Sequence, residues 1–302
     1  MSGLLSGKTA VNLAETKLRI DEKNIKQMAE KTVGQLHKMR ARLESPVSYF
    51  MVLGDEEIGL NPFIGKSITL TFQDKITCIH CGRNTNKSFN QGYCYPCFQK
   101  LAQCDSCIIS PEKCHYDSGT CREPVWGDEF CMQDHIVYLA NSSGLKVGIT
   151  RASQVPTRWI DQGAVQAMPI LRARSRQQSG FAEVIFKQHV SDKTNWRNML
   201  KGNVEEIDLV MEKSRLLELC SKDLESLEQQ FGLHAISVIN GVDPVSIDYP
   251  VKNYPEKVTS FNLDKTKEVT GTLTGIKGQY LILDTGVINL RRFTGYEVSF
   301  AA

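Results

Sequence analysis

The sequence lacks most of the features that would settle its class at a glance. No apolar run reaches the ~18 residues that a membrane span needs, so no membrane partner is expected. Charge of one sign is missing as well: 36 Lys and Arg stand against 34 Asp and Glu, leaving a net +2. The chain as a whole therefore offers no field to steer a charged partner, and any electrostatic argument must be local. The opening "MSGLLSGKTAVNLAETKLRI" has no continuous apolar stretch of the secretory kind, and Lys8 interrupts it early. That pattern predicts a cytoplasmic protein. What remains is an ordinary soluble composition, 41% hydrophobic and 23% charged over 302 residues, with room for two or three small domains.

Against this background the ten cysteines stand out, nine of them between Cys78 and Cys131. In a small secreted chain they would suggest disulfides. In a larger chain without a secretion signal, clustered cysteines point to metal. "CIHCG" (Cys78, Cys81) and "CYPC" (Cys94, Cys97) are two C-x-x-C knuckles twelve residues apart, the spacing of a structural zinc site with four thiolates. The next stretch offers Cys104, Cys107, Cys114, His115, Cys121, Cys131 and His135, more donors than one four-coordinate ion needs. The expected second site uses Cys104, Cys107, Cys114 and Cys121, with Cys131 as first substitute. Zinc is the expected ion, and an iron–sulfur cluster stays open because its ligands are also Cys thiolates. His115 and His135 read as surface or supporting residues.

Along the chain, the segments read as an N-terminal helical segment (1–44), a β segment (45–77), the zinc-knuckle region (78–134), a mixed domain (135–201), an acidic helix (202–233) and a C-terminal β module (234–302). Helix formers dominate 15–44. "SYFMVLG" and "GKSITLTF" read as strands. Residues 203–231 carry eight acids against three bases with an apolar stripe at Ile207, Val210, Met211, Leu217, Leu224 and Leu227. "VTGTLTGIKGQYLILDTGVINLRRF" reads as short strands and turns, and the two β-rich ends are expected to combine into one small barrel. The class is α+β.

The segment "HIVYLANSSGLKVGITRASQVPTRWIDQGA" reads first as a hairpin turned by "NSSG", followed by a helix with Pro156 in its first turn. Its polar residues go further. "IVY" ends at Tyr138, "KVG" supplies Lys146 and Gly148, Arg158 sits in "TRW", and Glu183 follows in "GFAEVIFKQH". In that order, over roughly 135–200, the chain resembles the GIY-YIG nuclease superfamily in the short form where lysine replaces the second tyrosine. The whole chain is also similar to an uncharacterised bacterial zinc-knuckle family known only as a domain of unknown function.

The resemblance implies a GIY-YIG-like α/β domain that hydrolyses phosphodiesters. Tyr138, or a water it holds, would act as general base and Lys146 would assist it. Arg158 would clamp phosphate oxygens in a bidentate fork, and Glu183 would anchor one Mg²⁺ or Mn²⁺. A plainer role for Glu183 is an i,i+4 pair with Lys187.

Local charge supports a nucleic-acid partner: residues 151–201 carry nine Lys and Arg against three acids. Arg151, Arg172, Arg174, Arg176 and Arg197 are the candidate contacts. "RARSR" (172–176) alternates like a strand and would set three arginines on one face. Trp159 and Trp196 lie among these charges, as base-stacking platforms or as core. The expected function is a metal-dependent nuclease acting on DNA or RNA. Its alternative is a non-catalytic zinc-containing protein that binds nucleic acid, such as structured RNA or a ribonucleoprotein.

Overall fold

The computed structural model describes residues 31–302. Its strands are β1 (Thr32–Gln35), β2 (Arg40–Arg42), β3 (Ser48–Leu53), β4 (Glu56–Gly59), β5 (Ser67–Ile76), β6 (His135–Asn141), β7 (Leu145–Arg151), β8 (Gln166–Ala173), β9 (Ile236–Val238), β10 (Val245–Ser246), β11 (Glu268–Lys277), β12 (Tyr280–Leu283), β13 (Gly286–Asn289) and β14 (Tyr296–Ala301). They form three antiparallel sheets. Six strands run in the order β1-β14-β5-β11-β12-β13, and β2-β3-β4 form a small sheet. The third has the order β10-β8-β6-β7, with β9 also on β8. No helix among the described residues is long and apolar enough to cross a membrane.

The two β-rich ends do meet: β14 lies between β1 and β5, and β5 between β14 and β11. The expected barrel does not close. The β13 edge is covered by irregular chain, with the Val287 N–H donating to the Thr259 carbonyl and the Val287 carbonyl accepting from the Phe261 N–H, and β1 leads through a Leu36–Leu53 bridge into the small sheet. Each edge thus finds a partner other than the opposite edge, which satisfies its backbone groups without closure.

The helical expectation for 15–44 fails over its described part, and residues 15–30 lie outside the described chain. "TVGQ" is strand β1 because β14 offers it a ladder. At Gly34 a side chain would meet the Leu53 backbone at 2.7 Å. Long-range pairing overrides the local helix propensity here.

The third sheet separates two cores by the strand period of two. Tyr138 and Ala140 face the core shared with the large and small sheets. Val137, Leu139 and Val147 face a second core beneath the Arg176–Phe186 helix. The acidic segment is two helices, Leu209–Leu219 and Ser221–Phe231, joined at Cys220. Its buried stripe is Leu209, Leu216, Cys220 and Leu227, whereas Val210 and Met211 of the expected stripe are exposed. The 3.6-residue period holds, but it is shifted in phase by the Asp208 cap that starts the first helix.

Candidate metal centre and cationic cleft

The first cysteine site sits where β5 runs out. Thr77 donates to the Gly295 carbonyl and ties the first knuckle to the large sheet, while Gly82, at φ +71°, makes the turn that brings Cys81 back. Cys94 caps the short Tyr95–Lys100 helix, which carries Cys97. The four sulfurs lie within 4.8 Å of one another, and Cys81 Sγ is 3.7 Å from Cys94 Sγ. A tetrahedral zinc with ~2.3 Å bonds has sulfur–sulfur edges of about 3.8 Å. Burial raises the Cys78 thiol, but backbone N–H donors from Cys81, Cys94 and His80 outweigh it and bring the group down to about 6. Burial and the neighbouring thiols push Cys97 up. Four thiols this close cannot ionise together without a cation between them. The cluster has the geometry to hold a metal ion and is compatible with structural zinc, and none of the ten cysteines is in a disulfide.

The second group divides. Cys107, Cys114, Cys121 and Cys131 line one small cavity with Asp105 and His115. Cys104 is absent from that lining. It faces the other way, toward Asn90 and the charge of Cys78. His135 is fully buried rather than superficial: Nδ1 meets the Gln133 carbonyl at 2.7 Å and Nε2 has no partner among the described residues. Burial, reinforced by Arg176 and Arg151, holds its pKa down to about 4.

Tyr138, Lys146, Arg158 and Glu183 are brought into electrostatic reach of one another. Register sets Tyr138 against Gly148 and Ala140 against Lys146, so Tyr138 and Lys146 project from one face of the hairpin. Glycine is required at 148 because a side chain there would meet the Tyr138 hydroxyl at 2.6 Å. Tyr138 is fully buried, edge-on to Trp159 at 6.0 Å, and donates to Gln162 Oε1 at 2.9 Å. Burial raises its pKa against the opposing Arg158, and Glu183 raises it further. Lys146 is 4% exposed and bonded to Thr194 Oγ1 at 3.3 Å. Burial, then Arg158, takes it down to about 8. Burial raises Glu183 against the opposing Lys187. The i,i+4 pair with Lys187 forms at 3.5 Å, and Lys187 also reaches Asp192 at 3.1 Å.

Arg158 also lines an open cleft of about 410 Å³ together with Lys38, Arg151, Arg176 and Arg291. These five cations come from five separate stretches of chain. The cleft's one carboxylate, Asp161, already holds Lys38 and accepts from Gln279 Nε2 at 3.0 Å. Burial pulls Arg151, Arg176 and Arg291 below the usual guanidinium range, and Arg176 Nε has no partner among the described residues. Arg176 reaches the cleft because Ser175, two residues past the end of β8, caps a helix, its hydroxyl accepting from the Gln178 N–H at 3.3 Å.

The remaining candidates scatter. The expected strand face over 172–176 does not exist, since β8 ends at Ala173. Arg172 pairs with Asp134 and, with Arg174, lines a separate surface hollow. Arg197 is exposed and stacks over Trp196, 4.4 Å from its ring centroid. Trp159 is core, and Trp196 lies flat on Tyr280 at 5.7 Å. The aromatics at the cleft are Trp126 and Phe130, stacked at 4.8 Å, with Arg151 over the Phe130 ring. Sequence reasoning passed over them, and over Lys38 and Arg291, because only the tertiary fold brings those distant segments together.

The chain belongs to the DUF2797 family, a protein family of unknown function, whose profile matches residues 65–298. No curated protein and no solved structure matches it.

Proposed function

We propose that this protein binds nucleic acid, its phosphates entering the cleft lined by Lys38, Arg151, Arg158, Arg176 and Arg291. One observation carries the reading: three partly or largely buried arginines share a cleft whose single carboxylate is already engaged. Buried charge of one sign is costly unless a counter-charge arrives, and planar guanidinium forks match phosphate oxygens. Trp126 and Phe130 add a stacking surface for an unpaired base. The zinc-compatible knuckles brace the fold and take no part in chemistry. The succession β6, β7, Arg158 helix, β8, Glu183 helix supports a GIY-YIG-like domain over 135–201.

A second reading, metal-dependent hydrolysis, is favoured by the electrostatic coupling of Glu183 to both Tyr138 and Lys146. It stands second because the Tyr138 hydroxyl is fully buried, and burial raises its pKa, which opposes the ionisation a general base needs.

Labelled single- and double-stranded DNA and RNA, incubated with Mg²⁺ or Mn²⁺, test both. The expected result is salt-sensitive binding with a log–log slope between roughly −3 and −4.5, for four or five neutralised phosphates. Arg158→Ala should weaken it about tenfold, or ~1.4 kcal/mol. Cleavage by wild type that Glu183→Gln abolishes, with binding retained, establishes hydrolysis instead. Absence of binding to all four substrates refutes both.

A further inference from the structure

The region between residues 77 and 135 has an unusual deficit. None of the three hydrophobic clusters among the described residues draws a member from it. From Ala102 to Lys113 it holds only three-residue 3₁₀ turns, at Ala102–Cys104, Ser106–Ile108 and Pro111–Lys113. Ile109 and Val125 face solvent at 81% and 74% exposure. Such a stretch buries too little apolar surface to offset the entropy of ordering it. The first cysteine site braces only 78–97, so the part from Cys104 to Cys131 needs a brace of its own.

We infer that Cys107, Cys114, Cys121 and Cys131 hold a second structural zinc, and that this ion clamps the start of the Arg176–Phe186 helix. Cys107, Cys114, Cys121 and Cys131 line one small cavity, and their spacing along the chain lets each loop deliver one sulfur. The tightest donor trio there, within 4.8 Å, is Asp105, Cys107 and His115. Two of those three are committed elsewhere. Asp105 pairs with Arg122 Nε at 2.6 Å and accepts from Ser106 Oγ at 3.1 Å. His115 Nδ1 lies 2.8 Å from Thr120 Oγ1, and its Nε2 faces the Asp105 carboxylate at 3.5 Å. Among the free donors thiolate is the ligand zinc prefers. Glycine at 127 keeps the pocket tight, because a side chain there would lie 3.0 Å from the Tyr116 ring and 3.6 Å from Cys121 Sγ.

The clamp is made of carbonyls from the same loops. The Arg176 backbone N–H donates to the Cys131 carbonyl at 2.8 Å. Its Nη2 donates to the Ile108 carbonyl at 2.7 Å, and Gln177 Nε2 to the Cys114 carbonyl at 2.8 Å. Gly180 lets the helix lie directly on the loop, since a side chain there would meet Pro111 Cβ at 2.6 Å. Ordering the loops around an ion therefore fixes Arg176 at the cleft.

Metal content of the purified full-length chain by elemental mass spectrometry tests this, and its outcome does not depend on nucleic-acid binding. Wild type should carry two zinc ions per chain, and Cys104→Ser should keep both. Cys107→Ser and Cys131→Ser should each lose one. Because a ligand variant can misfold, Co²⁺ exchange into wild type supplies the second measurement: two ions with thiolate-to-cobalt charge-transfer bands are expected. Amide exchange in the first turn of the Arg176–Phe186 helix should speed up in Cys131→Ser and stay at the wild-type rate in Cys104→Ser. One zinc per wild-type chain, iron with acid-labile sulfide, loss of a zinc in Cys104→Ser but not Cys131→Ser, or unchanged exchange in Cys131→Ser overturns the proposal.

Discussion

The cysteine-rich loops from Cys78 to Cys131 and the β6–β7–β8 sheet that follows them hold their shape by opposite means. The sheet is all ladder and packing: every residue of β6 is buried, and its two faces feed two apolar cores. The loops supply no member of the three apolar cores among the described residues and carry clustered thiols instead. Burial stabilises by area and tolerates modest change, whereas coordination is a single strong bond set that is either made or lost. The cationic cleft lies on the seam, taking Trp126, Phe130 and Cys131 from the loops and Thr150, Arg151 and Arg158 from the sheet side.

Metal removal should sharpen that contrast most. A strong chelator withdraws binding free energy on the order of 10 kcal/mol per structural zinc, all of it from one region. Hydrogen exchange should show 78–131 losing protection while β5, β6, β11 and β14 keep theirs. Uniform loss across both regions would mean that the sheets depend on the metal and the contrast is false.

His135 probes the seam. Its pKa lies near 4, lowered mainly by burial from an ordinary 6.5. The folded state holds the neutral ring, so below pH 6.5 the unfolded chain binds a proton that the folded chain refuses. Stability from this group therefore falls as pH drops from 6.5 to 4 and levels off below 4. The loss is at most about 3 kcal/mol. His135→Phe should flatten that part of a Tm-versus-pH curve. Parallel curves for the two proteins would show that the ring does not titrate as its surroundings dictate.

These two regions were also unequally legible in the sequence. The first zinc-compatible cluster was readable to the residue, because C-x-x-C spacing is a local constraint that the fold cannot rearrange. The hairpin with its "NSSG" turn, which sets Tyr138 and Lys146 on one face, could be read for the same reason: short-range register fixes it. The cleft could not. Lys38 and Arg291 are ordinary surface charges until β14 brings the chain's ends together, and "RARSR" looks like one face until Ser175 turns the last arginine into a helix. Cys104 stands outside the cavity that Cys107 lines, because proximity along the chain says nothing about which way each sulfur points.

Gly148 gives the smallest and most local test, confined to the packed side of the comparison. Its Cα lies under the Tyr138 ring, so a methyl group would approach the hydroxyl and Cζ at 2.6 and 2.7 Å. Tyr138 cannot retreat far: Trp159 stands edge-on to it, and Gln162 holds its hydroxyl. Overpacking of this kind costs about 1–3 kcal/mol. Gly148→Ala should lower Tm by that equivalent while leaving metal content at the wild-type value. It should also displace Tyr138 from Arg158, so the tyrosine's ring resonances should shift and nucleic-acid affinity should fall more than in an equally destabilised core variant such as Ile185→Val. A Gly148→Ala protein with wild-type Tm and affinity would mean the ring has room to move. The glycine after Lys146 would then be a tolerance of the hairpin rather than the seat on which its tyrosine is held.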